Sequence, residues 1–199
     1  MTDSAIGLGL GLVLGVVTGM PLGVINVSIV DAATAGRTRF AIGLGIGGGL
    51  ADTVHSGLAF AGVGRLITGR TDWMRAASVI AAALIVGYAI LAWRGRGPAR
   101  TIGTRLVAGI PTGFALTLPN PAALAAWVAT AAAIWPTIPI EAAIAIAIGV
   151  GIGSAVWFTL LARWIASIRS DHPARRYIPK LAIIALLAIA GVGIVRLWL

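Results

Sequence analysis

The sequence predicts an all-α membrane protein with six transmembrane helices, built as two inverted three-helix repeats in which helices one and four are broken. Three observations carry this expectation. The 199 residues are 59% hydrophobic and 11% charged, with a mean hydropathy of +0.99; a soluble domain carries about 25% charged residues. Pro21 falls near the middle of an apolar stretch from Ser4 to Arg37, and Pro119-Asn120-Pro121 near the middle of another from Arg105 to Pro136. After each comes an apolar segment with a G-x-G-x-G core: Gly45, Gly47 and Gly49, then Gly149, Gly151 and Gly153.

The spans are expected at residues 5–35, 40–64, 74–93, 104–134, 140–162 and 177–198. Each meets or approaches the roughly 20 apolar residues that a bilayer requires. Spans one and four are longer than the rest, as kinked or partly unwound helices would be. The first lacks a basic n-region and runs past the length of a signal h-region, so it is expected to be retained. Short connections leave no room for a soluble insertion, which gives one transmembrane domain over 1–199. Repeat one covers about 5–93 and repeat two about 104–198, each reading broken helix, glycine-rich helix, plainer helix. Aligning Pro21 with Pro119 needs an offset of 98 and aligning Gly45 with Gly149 needs 104, which matches Asp52 to Val156. With three spans per half, the second half inserts upside down relative to the first.

The formal net charge is +9. Its basic residues lie in short segments between apolar stretches, which fits lipid headgroups and not nucleic acid. The loops after spans one, three and five hold eleven of the fifteen, from Arg37 to Lys180; the other side holds Arg65, Arg70, Arg75 and Arg196. The positive-inside rule therefore places both termini on the non-cytoplasmic side. Trp73, Trp93, Trp135, Trp164, Tyr177 and Trp198 fall near span ends, where an aromatic belt belongs. The absence of cysteine excludes a thiol–disulfide carrier, an iron–sulfur cluster and a thiolate nucleophile. No metal motif, nucleophile–base pair or phosphate loop is visible, so neither an enzyme, a cofactor nor a bound metal is expected.

The prolines define the first candidate site. Pro21 has no N–H, so the Val17 carbonyl loses its helical partner; Pro119 and Pro121 free those of Ala115 and Thr117. In lipid such groups need a neighbour, water or ligand, and a half-helix starting after a break presents N–H groups suited to a carboxylate. The plain alternative is a structural kink. Asp52 is thirteen residues from both Arg39 and Arg65, at the centre of span two. An acid there costs about 2.5–3.5 kcal/mol on insertion scales, which implies a cavity and a task. His55 and Ser56 share its helix face. Asp52 and His55 are the candidates for proton coupling, and the carboxylate alternatively holds a substrate ammonium; for both residues the structural reading is a hydrogen bond to a neighbouring helix. Asn26 is a candidate lining residue beyond the first break, whereas Asp31 is expected to pair with loop arginines. Gly7, Gly11, Gly15, Gly19 and Gly23, four apart, form a groove for close helix packing. Trp127 and Trp157 sit near the depth of the second break, as pocket walls or lipid-facing packing.

These residues resemble the lysine exporter (LysE/RhtB) family of amino-acid exporters. The similarity runs through Gly19-Met20-Pro21-Leu22-Gly23-Val24-Ile25-Asn26, Gly36 to Phe40, Gly45 to Asp52, Leu118-Pro119-Asn120-Pro121-Ala122 and Gly149 to Trp157. Two departures touch the supposed site: the family has Pro-Gly-Pro at Pro21-Leu22-Gly23, and Lys at Ala122. The resemblance implies a multi-pass protein of the bacterial inner membrane, a secondary active exporter driven by proton exchange. Its cargo is an amino acid or similar small zwitterion, and its substrate-binding candidates are Pro21, Asn26, Asp52, Pro119, Asn120 and Pro121. The absence of a mid-depth arginine argues against phosphate or dicarboxylate. Two alternatives stay open, a divalent metal-ion exporter using Asp52, His55 and Asn120, and a non-transporting membrane scaffold subunit. The glycine ridges are compatible with a homo-oligomer.

Overall fold

A computed structural model of the chain describes residues 2–21, 23–63, 69–93, 105–135 and 138–168, with isolated positions elsewhere. Apart from such positions, span six lies outside the described residues, as do Arg65, Arg94, Arg96, Arg100, Arg169, Arg175, Arg176 and Arg196. The described residues form seven helices and no strand: α1 (Thr2–Gly19), α2 (Val24–Thr34), α3 (Thr38–Phe60), α4 (Thr71–Trp93), α5 (Leu106–Thr117), α6 (Pro121–Ile134) and α7 (Ile140–Ser167).

Both breaks fall at the prolines. α1 and α2 meet at 69° and α5 and α6 at 74°. Pro111 lies inside α5 without ending it, so a proline by itself does not make a break. Pro119 and Pro121 remove two donors within three residues, and Pro21 is followed two residues on by Gly23 in extended backbone. Among the described residues two helices, Thr71–Ile90 and Ile140–Ser167, are long and apolar enough to cross a membrane, and four if each bent pair counts as one span. Glycines, Asp52 and His55 make α3 less apolar. It occupies the centre of the packing, touching α2, α5, α6 and α7.

Close glycine contacts set how these helices approach. A Cβ on Gly11 or Gly15 would collide with the Ile146 or Val150 carbonyl of α7; Gly149 and Gly153 likewise face the Leu8 and Leu12 carbonyls of α1. On the other flank Gly43 and Gly47 of α3 lie on the carbonyls of Leu106 and Ile110 in α5, and Gly109 and Gly113 on those of Phe40 and Leu44. Each half-helix thus runs parallel to the glycine-rich helix of the opposite half, with backbones in contact. The two interfaces share one pattern. Gly11 and Gly15 differ by 98 in residue number from Gly109 and Gly113, and Gly43 and Gly47 differ by 106 from Gly149 and Gly153. The packing register of the glycine-rich helices is therefore two residues from the 104 read off the ladders, and Asp52 corresponds to Phe158 in place of Val156.

Between α2 and α3 the chain turns at Gly36, whose φ of 80° is open to glycine at no steric cost. Gly36 N–H donates to the Ala33 carbonyl and Arg37 N–H to that of Ala32, at 3.0 and 2.9 Å, a complete Schellman stop. The turn returns Arg37 to Asp31, with Nη2 to Oδ2 at 3.2 Å. The expected pairing of Asp31 with a loop arginine is thereby found, and Tyr88 of α4 adds its hydroxyl 3.4 Å from the same oxygen.

Gly47→Ala is expected to destabilise the detergent-solubilised protein by about 1–3 kcal/mol through backbone overlap with α5. Gly9→Ala, where a Cβ meets nothing within 4 Å, serves as the control. Thermal unfolding of both variants checks this: the midpoint falls for the first and stays or rises for the second.

Candidate functional site

At the first bend the Val17 carbonyl, which Pro21 cannot serve, takes the Met20 N–H at 3.4 Å. Asn26, one turn into α2 and 3% exposed, reaches back. Its Nδ2 donates to the carbonyls of Gly19 at 2.9 Å and Pro21 at 2.6 Å. Its Oδ1 is buried without a hydrogen-bond partner. α2 begins at Gly23 in extended backbone with no side-chain cap, so its first N–H groups face the bend. Trp157 of α7 packs against Gly19, and its indole N–H is also buried without a partner.

The second bend closes its own backbone more fully. Asn120 caps α6, accepting the Ala122 N–H at 3.1 Å, with Pro121 at the first helical position. The Asn120 N–H donates to the Thr117 carbonyl at 3.1 Å. The Leu118 carbonyl sits 2.9 Å from His55 Nε2. A carbonyl only accepts, so Nε2 carries the proton and Nδ1 is a free lone pair when the ring is neutral. That Nδ1, like Thr117 Oγ1, is buried without a partner. Against this bend lies a cavity of about 160 Å³. His55, Pro119, Asn120 and Pro121 form one side; Leu58, Leu118 and Leu124, with Trp73 and Ala77 from α4, form the apolar remainder.

Asp52 stands between the bends. A Cβ on Gly48 would come within 2.9 Å of Ile25, so the turn of α3 preceding Asp52 rests on the start of α2. α2 and α3 are antiparallel across the Gly36 turn, which brings Asp52 level with the first bend. Its side chain is partly buried and lies beside Ser154 of α7 and Trp127 of α6; the Ser154 hydroxyl donates to the Gly15 carbonyl of α1 at 3.3 Å. The carboxylate thus stands where the central helix meets α6 and α7.

The family model for the LysE type translocator matches residues 16–197, a range that holds both bends, Asp52 and both glycine ladders. The chain belongs to this family. Comparisons with curated proteins and with solved structures returned no match. With its family and its apolar helices, the chain is a membrane transport protein of the LysE type.

In this LysE type translocator the residues expected at the site form two groups with Asp52 between them. His55, Pro119, Asn120 and Pro121 share the cavity. Pro21 and Asn26 meet at the first bend. Asp52 lies beside side chains of α6 and α7 separate from the partner of His55, although the two share a helix face. Ser56 Oγ donates to the Asp52 carbonyl at 2.7 Å and stays within its own helix. Ser154 and Thr117 escaped the sequence reading. The signal for Ser154 was its place beside Gly153, where a small polar residue on a glycine face meets a neighbouring helix; nothing local marked Thr117.

Asn26→Ala leaves the Gly19 and Pro21 carbonyls without their side-chain donor. The expected loss is about 1–3 kcal/mol of stability, read as a lower unfolding midpoint in detergent.

Proposed function

We propose that the chain is a secondary active exporter of an amino acid or similar small zwitterion, exchanging it for protons across the bacterial inner membrane. Family membership supports export. The observation that carries the mechanism is Asp52, an acid in the central helix, beside Ser154 and Trp127 and level with the first bend. A zwitterion needs an anion partner and a cation partner. The uncapped start of α2 supplies N–H groups for the carboxylate, and Asp52 supplies the charge for the ammonium. The same carboxylate, once protonated, releases that ammonium, which couples cargo to proton movement.

The matched interfaces support an inverted repeat and alternating access. Under exchange of the halves, α1 on α7 becomes α5 on α3, with constant offsets of 98 and 106 in residue number. A scaffold related to itself by a pseudo-two-fold axis in the membrane plane has two similar packings, open to opposite faces. The parallel course of α1 with α7 and of α3 with α5 agrees with three spans per half, and the positive-inside rule supports both termini on the non-cytoplasmic side.

Asp52→Asn keeps the size and one acceptor oxygen of the side chain and removes the titrating charge. In proteoliposomes it is expected to reduce pH-gradient-driven amino-acid export to background while membrane insertion and unfolding midpoint hold; undiminished coupled flux would remove Asp52 from the mechanism. A reporter enzyme fused after Leu199 is expected to be active on the non-cytoplasmic face, and cytoplasmic activity would reverse the orientation.

A further inference from the structure

We infer that the cavity at the second bend receives the side chain of the cargo and restricts it to uncharged, mainly apolar groups no larger than about a benzene ring. The inference rests on the exporter reading above and narrows it.

Asp52 and the cavity occupy adjacent layers between the same two helices. On α3, His55 of the cavity wall follows Asp52 by three residues, a rise of about 4.5 Å on one face. On α6, Leu124 of the cavity wall precedes Trp127, the neighbour of Asp52, by three residues. An amino acid whose ammonium rests on Asp52 therefore has its α-carbon about one helical turn from the cavity wall, the distance a side chain spans.

Size and chemistry then set the limit. The volume is about 160 Å³, and an apolar cavity of about 150 Å³ holds benzene. Leu58, Ala77, Leu118, Pro119 and Leu124 give a hydrocarbon surface, and the described lining contains no carboxylate. A lysine or arginine side chain would bring a second cation into that space with no counter-charge, against a large desolvation cost. Of the described lining residues His55 is the ionisable one, and its ring proton is committed to the Leu118 carbonyl. The wall selects by exclusion of charge and by length.

Counterflow in proteoliposomes containing the full chain tests this with labelled alanine, leucine, phenylalanine, lysine and arginine. The expected result is leucine flux about tenfold or more above lysine and arginine, the scale on which apolar pockets discriminate. Ala77→Leu, which fills the cavity, is expected to lower the leucine-to-alanine flux ratio about tenfold. Leu124→Ala, which enlarges it, is expected to raise the phenylalanine-to-alanine ratio. These ratios are independent of how much variant protein is recovered, and the two substitutions act in opposite directions. Lysine or arginine flux equal to or above leucine overturns the assignment and leaves the exporter reading standing. So do flux ratios unmoved by both variants. No flux of any amino acid overturns both.

Discussion

An unpaired backbone carbonyl has no solvent partner in hydrocarbon, and this constraint decides how two bent helices persist inside one small membrane protein. Each bend meets it with one polar side chain. Asn26 covers two carbonyls from within its own half-helix, and His55 covers one across 63 residues of sequence. In both cases the cover is incomplete. The first bend keeps Asn26 Oδ1 and Trp157 Nε1 buried and unpartnered, and the second keeps His55 Nδ1 and Thr117 Oγ1. Buried polar groups without partners are few in native structures. Among the described residues four of the five such side-chain atoms lie at the two bends, the fifth being Arg37 Nε at the Gly36 turn, and the proposed exporter would use them to exchange partners with cargo, water or a second packing.

The bends also depend on packing that leaves little slack. Half-helices of 12 and 18 residues hold their places because glycine lets each one lie backbone to backbone on the ladder of the opposite half. Helix association in lipid lacks a hydrophobic driving force and relies on such contact. The latch formed by Asp31, Arg37 and Tyr88 completes the arrangement at the far end of α2, tying that half-helix to the turn that follows it and to α4. α2 is thereby anchored at its end and free of a side-chain cap at its start, where Asp52 lies.

Legibility in the sequence followed the range of each interaction. The breaks were readable because proline acts on its own backbone, within four residues. The helix limits were readable from hydropathy and from turn glycines such as Gly36. The pairing of Asp31 with Arg37 was readable because a Schellman stop returns the chain on itself within six residues. The register between halves was not. Glycines two apart offer several ridges of period four, and choosing Gly45 against Gly149 over Gly43 against Gly149 needs the facing carbonyls, which belong to other helices. The neighbours of Asp52 were hidden for the same reason. Ser154 and Trp127 lie 102 and 75 residues away, and only the antiparallel approach of α3 to α7 and the 74° bend before α6 bring them to one carboxylate.

The corrected register sharpens the division of labour in the proposed exporter. Where α3 carries Asp52, α7 carries Phe158, which is 2% exposed and packed against Gly45 and Gly48. The scaffold repeats and the chemistry does not. Two packings related by approximate symmetry differ little in free energy, and a ligand or proton shifts such an equilibrium only through its differential affinity for the two states. A second acid at the Phe158 position would place two like charges across the same interface, raising the cost of every intermediate in which both are ionised. A phenyl ring there fills the space, packs against Gly45 and Gly48 and leaves Asp52 as the acid at this level. In the proposed exporter, the matched glycine contacts would make a change of state accessible, and the single acid at this level would let the proton set its direction.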